Sequence, residues 1–156
     1  MQKLLAQISR KTDAAEVFGL DTSVNLVIYE SGRLKNLNTL NSTGAAVRAM
    51  VDGKLGQAII SDMRDPAQVA DRIRALAELG DRAHFSFSGP AELKDLNLVD
   101  ERVAGMTVAD IVDAGREAVE LIQAYDAHIG VDFIGERSLD KVQVMTTAGA
   151  STAFER

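Results

Sequence analysis

Residues 23–61 read SVNLVIYESGRLKNLNTLNSTGAAVRAMVDGKLGQAIIS, and this stretch decides the fold. Val24, Leu26 and Ile28 alternate with Asn25, Val27 and Tyr29. This period of two predicts a strand with one face drier than the other. The polar break at 30–33 contains a glycine, which can adopt positive φ in a tight turn. Asp52-Gly53 is a strong hairpin signal, because a type I′ turn needs positive φ at both central residues. The stretch therefore predicts two β-hairpins in succession.

Three segments have the periodicity of helices. The first runs from Met1 to about Arg10 and places its apolar residues on one side. The second begins with Asp65 as the N-cap and Pro66 at the first helical position. Gly80 stands where a helix commonly ends in a left-handed cap, so we expect this helix to end there.

The third helix has the best-defined beginning. Thr107 and Asp110 have the spacing of a capping box, with Asp in the acidic place, and the apolar face continues to near His128. Gly115 lies inside this helix, where glycine costs about 1 kcal/mol relative to alanine. A close contact between helix and sheet would explain the glycine.

Two further segments allow more than one interpretation. Residues 81–105 are the least regular part of the chain. We expect an ordered connection over the core, with a candidate short strand at 84–87, in preference to a flexible linker. Residues 34–45 align without a gap onto 139–150, with leucine, glycine and alanine at matching offsets. This similarity indicates either two hairpins with the same turn chemistry or an internal duplication, and both alternatives place 131–156 on strands.

The fold class predicted from these elements is α/β, more narrowly α+β. We expect a mostly antiparallel sheet of about seven strands, because hairpins force antiparallel neighbours, with the second and third helices packed on one face. The predicted core consists of apolar residues from both strands and helices: Leu26, Ile28, Val47, Val51, Ile59, Val69, Ile73, Leu76, Ile111, Val119, Ile122 and Val144.

Composition limits the function classes. The chain of 156 residues is long enough for one domain with a real core, and it has no cysteine for disulfides or thiolate chemistry. Its net charge of −6 and pI near 4.9 argue against a nucleic-acid surface. No apolar run approaches the roughly 18 residues of a spanning helix, and no secretory signal is present. These features predict a cytoplasmic protein without nucleic-acid or membrane partners.

The order of strand, tight turn, strand with a downstream glycine, Asp-Gly turn, strand and helix resembles the N-terminal domain of the TldD/PmbA family. This is a family of metallopeptidases long described as modulators of DNA gyrase. The resemblance covers essentially the whole chain. It implies that residues 1–156 are a single domain of a longer protein whose catalytic part, with a His-Glu-x-x-x-His motif, follows residue 156. Zinc is expected in that catalytic part and no cofactor in this chain.

No catalytic constellation is visible in the chain itself, so we predict no catalytic, cofactor or metal residues. A zinc protease site needs three protein ligands, commonly with two histidines one helical turn apart. The chain has only His84, next to a phenylalanine, and His128, near a predicted helix end, and packing and the helix dipole account for them. Asp62, Asp65 and Asp71 are grouped around the start of the second helix, where one is expected to cap it and the others to interact favourably with its dipole, rather than to hold a cation.

Two functions from different classes remain open. The resemblance implies a non-catalytic wall of a peptide-processing chamber, in a homodimer or a heterodimer with a related subunit that takes unfolded peptides. An extended peptide could add to a strand edge near Gly44, Ala45 and Ala49, whose small side chains allow close approach. The alternative is an assembly or peptide-binding module of a non-catalytic partner subunit without zinc. In both cases this chain alone is predicted to be inactive.

Overall fold

The computed structural model describes residues 1–92 and 97–156, which form helices and one antiparallel sheet. The sheet has the strand order β3-β2-β1-β4-β5 over the described residues. The α+β class with an antiparallel sheet is therefore confirmed. None of the described helices is both long and apolar enough to span a membrane. The elements are α1 Gln2–Ile8, β1 Ala14–Glu30, β2 Arg33–Val51, β3 Lys54–Ile60, α2 Pro66–Leu79, α3 Glu101–Gly105, α4 Val108–Tyr125, β4 Phe133–Thr146 and β5 Ser151–Glu155.

Both predicted hairpin turns are present. Ser31 and Gly32 have φ of 50° and 74°, and Asp52 and Gly53 have φ of 50° and 72°. Positive φ at both central residues is the type I′ signature, whose twist matches that of the flanking strands. The two turns therefore fix β1, β2 and β3 as consecutive antiparallel neighbours.

The described part of the sheet has five strands instead of about seven, because β1 and β2 are long and unbroken. They contain 17 and 19 residues, and β2 continues through Gly44 without interruption. Strand β1 already begins at Ala14, earlier than predicted. Ala15 and Val17 are buried on either side of Glu16, which is the alternation of a strand. The sequence did not predict a strand there, because alanine has little preference for strands.

Two compact units divide the chain, and each has its own core. The first unit comprises residues 1–21, 43–92 and 141–155. In it, α1 and α2 contribute Leu4, Ile8 and Ile73 to a cluster with Val17 of β1 and Val47 of β2. Each of these side chains is at most 2% exposed, so the helices and strands are held by apolar burial.

Glycine lets α2 lie directly on β3 in the first unit. A Cβ atom on Gly56 would lie 2.4 Å from the amide nitrogen of Ala77, and one on Gly80 would lie 1.9 Å from the carbonyl oxygen of Leu55. Gly80 has φ of −77°, so the prediction of a left-handed cap is wrong. The residue is glycine because the backbone of β3 leaves no room for a side chain.

The second unit comprises residues 22–42, 97–140 and 156. Its core joins Val27 and Tyr29 of β1 to Ile111 and Val119 of α4. A Cβ atom on Gly115 would lie 2.6 Å from Cε2 of Tyr29, so the predicted close contact between helix and sheet is confirmed. The hydroxyl of Tyr29 donates a hydrogen bond to the carbonyl of Val112 at 2.8 Å and ties strand to helix.

The alternation in β1 was predicted correctly, but the buried face was not. Asn25, Val27 and Tyr29 are buried, whereas Leu26 and Ile28 are only half-buried. Burial follows the side on which α4 packs, and periodicity alone does not reveal that side. Of the twelve predicted core residues, five are buried, four are half-buried and three are exposed. The half-buried ones are Leu26, Ile28, Val51 and Val144, and the exposed ones are Ile59, Leu76 and Ile122.

The less regular segments also differ from the predictions. Residues 84–87 form no strand, and instead Arg82 makes an isolated antiparallel bridge to Lys54. Helix α3 was not predicted, and the remaining part of that connection at 93–96 lies outside the described residues. Gly44 lies within a strand, whereas Gly149 lies in a turn with φ of 99°, so their alignment reflects no common position in the fold.

Candidate functional site

The carboxylates near the start of α2 already have partners on the protein. Asp65 caps the helix by accepting from the amides of Ala67 and Gln68. Asp71 forms an ion pair with Lys11. The Arg64 side chain and amide donate to Asp62, and these hydrogen bonds lower the pKa of Asp62 from 3.8 to about 2. Asp65 is thus the predicted cap, whereas the ion pairs of Asp62 and Asp71 were not predicted.

The two histidines do not lie in buried or paired positions. His84 is exposed in the segment that follows the bridge at Arg82, so packing between aromatic residues does not account for it. Helix α4 ends at Tyr125, so His128 lies beyond the helix, with its amide donating to the carboxylate of Asp126. Among the described residues, neither side chain belongs to a group that could hold a metal ion.

The described residues do not fit a zinc site. Within 1–92 and 97–156, no group of three or more His, Asp or Glu side chains is arranged to hold a metal ion. A zinc centre of the kind implied by the family needs three protein ligands around an open position. We therefore derive no catalytic step through a metal held by this part of the chain.

Ala45 and Ala49 lie in the part of β2 that pairs with β3, whereas Gly44 lies one residue beyond the last of these pairs. Strand β2 lies between β3 and β1, and its pairs with β3 include Ala45 with Ile60 and Ala49 with Gly56. Ala45 and Ala49 are also buried in the core of the first unit. The geometry gives no support to an added peptide strand at Ala45 and Ala49, because β3 already occupies that side of β2 and both side chains are buried. For Gly44 the site stays a prediction.

The outer edge of β3 is only partly covered. The amide of Leu55 donates to the carbonyl of Asp81 at 2.9 Å, and the amide of Ala83 donates to the carbonyl of Gly53 at 2.8 Å. Residues 53 and 55 thus direct their main-chain groups outward, and alternation along a strand gives the same direction to Gln57 and Ile59. Neither residue makes an outward backbone hydrogen bond to another described segment. No other described segment pairs with the remainder of this edge, which we call the open edge.

A groove of about 860 Å³ runs along the end of β3 and one side of α2. Its apolar lining includes Ala58 and Ile60 of β3 and Val69 and Ile73 of α2. Arg72 also lines it and has no hydrogen bond or ion pair with another described residue. The groove therefore combines an apolar floor, an open strand edge and a free positive charge. We call it the edge groove.

A second feature of the first unit, a cluster of side chains around Arg48, was not predicted from the sequence. Arg48 of β2 donates to the carboxylate of Glu16 at 2.9 and 2.6 Å. Its guanidinium also lies 5.5 Å from the ring centroids of Phe85 and Phe87, which contact each other edge to face. These contacts hold the segment around 85–87 against the sheet. No spacing in the sequence links Arg48 to either phenylalanine.

In the second unit, the face of β1 and β4 that points away from α4 is apolar and exposed. Tyr29 and Phe133 are in edge-to-face contact, with Tyr29 on the buried face of β1. Because side chains alternate along strands, Ile28 and Ile134 point to the opposite face. Ile134 is 70% exposed there.

Strand β2 extends this exposed face. The hydroxyl of Thr39 donates to the side chain of buried Asn25 at 3.1 Å, which places Thr39 on the covered face. Its neighbour Leu40 therefore points to the opposite face, and it is 60% exposed. We call this surface the open face, and it is defined by Leu26, Ile28, Leu40 and Ile134.

Comparison with known proteins finds one matching family model and several similar folds. Residues 15–84 match the family described as PmbA/TldA metallopeptidase domain 1. No curated protein matches the chain. The fold is similar to the structure of TldE from Thermococcus kodakarensis, with a TM-score of 0.88, 16% identity and coverage of 99% of this chain and 36% of that one.

Two proteins that carry the name of modulators of DNA gyrase have a similar fold. The one from Thermotoga maritima has a TM-score of 0.84 at 16% identity, and the one from Bacteroides thetaiotaomicron has 0.84 at 15%. Each match covers 99% of this chain, which spans 36% of the first protein and 37% of the second. The resemblance found in the sequence is thus supported by the family match at residues 15–84 and by the fold, which this chain shares with the corresponding part of these proteins.

Proposed function

We propose that the chain is the non-catalytic N-terminal domain of a TldD/PmbA-type metallopeptidase. It forms a contact between subunits and part of the wall that limits access to a peptide-processing chamber. The open face carries this proposal. Large contiguous apolar surfaces on soluble proteins commonly mark contacts with other proteins, and here Ile134 and Leu40 project from a sheet that no described helix covers on that side.

In this proposal, docking and chemistry belong to different parts of the whole protein. The zinc ligands come from the part outside this chain, and the partner is a second copy or a related subunit. The substrate is an unfolded peptide in the cytoplasm. The domain contributes by positioning such a peptide and by excluding folded proteins, and correct positioning alone supplies a large share of enzymatic rate enhancement.

Ile134→Glu tests the subunit contact in the protein expressed from its complete native gene. A charge placed on a buried apolar contact should weaken the dimer roughly tenfold or more and reduce cleavage of unfolded peptides. Dimer mass is measured by light scattering across a concentration series. Leu121→Glu is the matched control, because Leu121 is similarly exposed on α4 and lies off the open face. Equal effects of both substitutions would contradict the proposed contact.

Peptide cleavage and zinc content separate this proposal from its alternative. The 156-residue chain should not cleave unfolded peptides, whereas the product of the native gene should contain zinc and cleave them. A native product that assembles but has neither zinc nor activity would instead identify a non-catalytic partner subunit. Metal-dependent cleavage by the 156-residue chain, free of contaminating protease, would contradict both.

A further inference from the structure

We propose that the edge groove binds an extended peptide as an additional strand on the outer edge of β3, with an acidic side chain of the peptide on Arg72. This inference rests on the proposed function, since it gives the substrate class that the wall would take. It also assigns the site to a different place from the one predicted around Gly44.

The open edge supplies the main-chain partners. Gln57 and Ile59 direct their amides and carbonyls outward. The isolated antiparallel bridge between Lys54 and Arg82 shows that the beginning of this same edge already pairs with another segment of the chain. An extended peptide satisfies such groups regardless of its sequence, which is the basis of strand addition in peptide recognition. The chain's own segment at 81–83 occupies the beginning of the edge and leaves the rest free.

Helix α2 supplies a side-chain wall beside that edge. Gly80 lies against Leu55, and Gly56 lies against Ala77 and Ile73, so helix and strand run side by side in opposite directions. Gln68, Arg72 and Leu76 are four residues apart and lie on one stripe of α2. All three line the groove.

The spacing of that stripe matches the spacing of a strand. Four residues of helix rise about 6 Å. Alternate residues of a strand are about 6.6 Å apart. Two side chains on one face of an added strand can therefore meet Arg72 and Leu76 together. Leu76, 40% exposed, suits an apolar side chain, and Arg72 suits a carboxylate.

Charge decides which peptides are preferred. Each other arginine on α2 or at its beginning has a carboxylate partner, since Arg64 pairs with Asp62 and Arg74 pairs with Glu78. Arg72 has none among the described residues. A carboxylate of the peptide can form an ion pair with Arg72, whereas a positively charged side chain at the same position is repelled by it. The preferred ligand is thus an extended peptide with an acidic residue two positions from an apolar one.

The probe is the peptide Ser-Leu-Thr-Glu-Thr, acetylated and amidated so that no terminal carboxylate can act as the ligand. It is titrated to a few millimolar into the 156-residue chain, and amide shifts are followed by NMR. Saturable shifts are expected at Gln57 and Ile59. The absence of saturable shifts at these residues, or stronger shifts on the open face, would overturn the proposal.

Two pairs of variants test the two contacts. Arg72→Gln should weaken binding roughly fivefold, as for an exposed ion pair. Arg74→Gln, on the same helix but outside the groove lining, should leave binding unchanged. Ile59→Pro removes an outward amide and should abolish binding, whereas Ile59→Thr keeps it. Proline is tolerated where a strand amide faces solvent, and Ile59 is 90% exposed, so both variants should fold.

A double-mutant cycle shows whether the carboxylate binds Arg72. The probe with glutamine in place of glutamate should bind the unsubstituted chain as weakly as the original probe binds Arg72→Gln. Combining the two changes should cause no further loss, because both remove the same interaction. Additive losses, or binding that survives Ile59→Pro, would overturn the proposal. Since no cleavage is measured, a negative result here leaves the test of the proposed function separate.

Discussion

Gly80 shows how one residue can be chosen for two different physical reasons. At the end of a helix, glycine commonly permits a left-handed cap, and that reason would also allow asparagine. Here φ is −77°, which any residue can adopt, so conformational freedom is not required. The requirement is steric, because the carbonyl of Leu55 occupies the position that a side chain would need.

Gly80→Ala should therefore destabilise the protein by about 2 kcal/mol or more, as in overpacked sites where the backbone must move. The free energy of unfolding is measured by urea titration. Gly130→Ala is the control, since nothing lies within 4 Å of a Cβ atom at that position, and it should change stability by less than about 0.5 kcal/mol. An equal effect of both substitutions would show that α2 does not lie against β3 as described.

At the scale of elements, the beginning of α4 was fully predictable from two residues. The hydroxyl of Thr107 accepts from the amide of Asp110, and the carboxylate of Asp110 accepts from the amide of Thr107. The Thr107 hydroxyl also donates to this carboxylate, and the hydrogen bonds that the carboxylate accepts from the amide and the hydroxyl of Thr107 lower the pKa of Asp110 below its usual value. Both groups satisfy helix amides that would otherwise lack partners.

Thr107→Ala should cost about 1 kcal/mol of stability at neutral pH, which is typical for loss of an N-cap. It should also raise the pKa of Asp110 towards 3.8, because the hydroxyl no longer donates to the carboxylate. Since the folded state lowers this pKa, the stabilisation is present above the unfolded value of 3.8 and is lost as the pH falls through the folded value. Carboxyl titration by NMR measures the pKa.

Thr107→Ser retains the hydroxyl and serves as the control for this prediction. It should keep both the stability at neutral pH and the lowered pKa of Asp110. If serine and alanine have the same effect, the hydroxyl contributes nothing to the cap.

The contrast between α4 and the sheet shows which features a sequence determines. Caps and type I′ turns depend on residues within a few positions, so the turns at Gly32 and Gly53 and the cap at Thr107 were all predicted. The choice of buried face in β1 depends on where α4 packs, more than 80 residues later, and it was predicted on the wrong side.

The candidate site follows the same division. The open edge of β3 depends on strand order, and the free charge of Arg72 depends on which carboxylates lie nearby in space. Neither is encoded by local spacing. The sequence indicated small residues in β2 as a place for a peptide, but strand order puts β3 at the edge of the sheet and Ala45 in the core.

At the scale of the whole molecule, metal content is a sharp test, because ligand supply limits it. The full sequence holds two histidines and no cysteine, so a tetrahedral zinc site would need carboxylates for most of its ligands. The carboxylates gathered near α2 already cap the helix or pair with Arg64 and Lys11. Binding of zinc by them would have to break these contacts.

We therefore expect the purified 156-residue chain to retain well under one zinc per molecule after dialysis, by elemental analysis. Its melting temperature should be the same with and without a chelator, since a ligand that binds only the folded state would raise it. The whole protein from the native gene is the comparison, in which zinc should be stoichiometric if it is a catalytic member. The contrary result would be zinc that remains bound to the 156-residue chain, together with a melting temperature lowered by the chelator. It would show that this domain supplies ligands to the metal site in addition to forming the chamber wall.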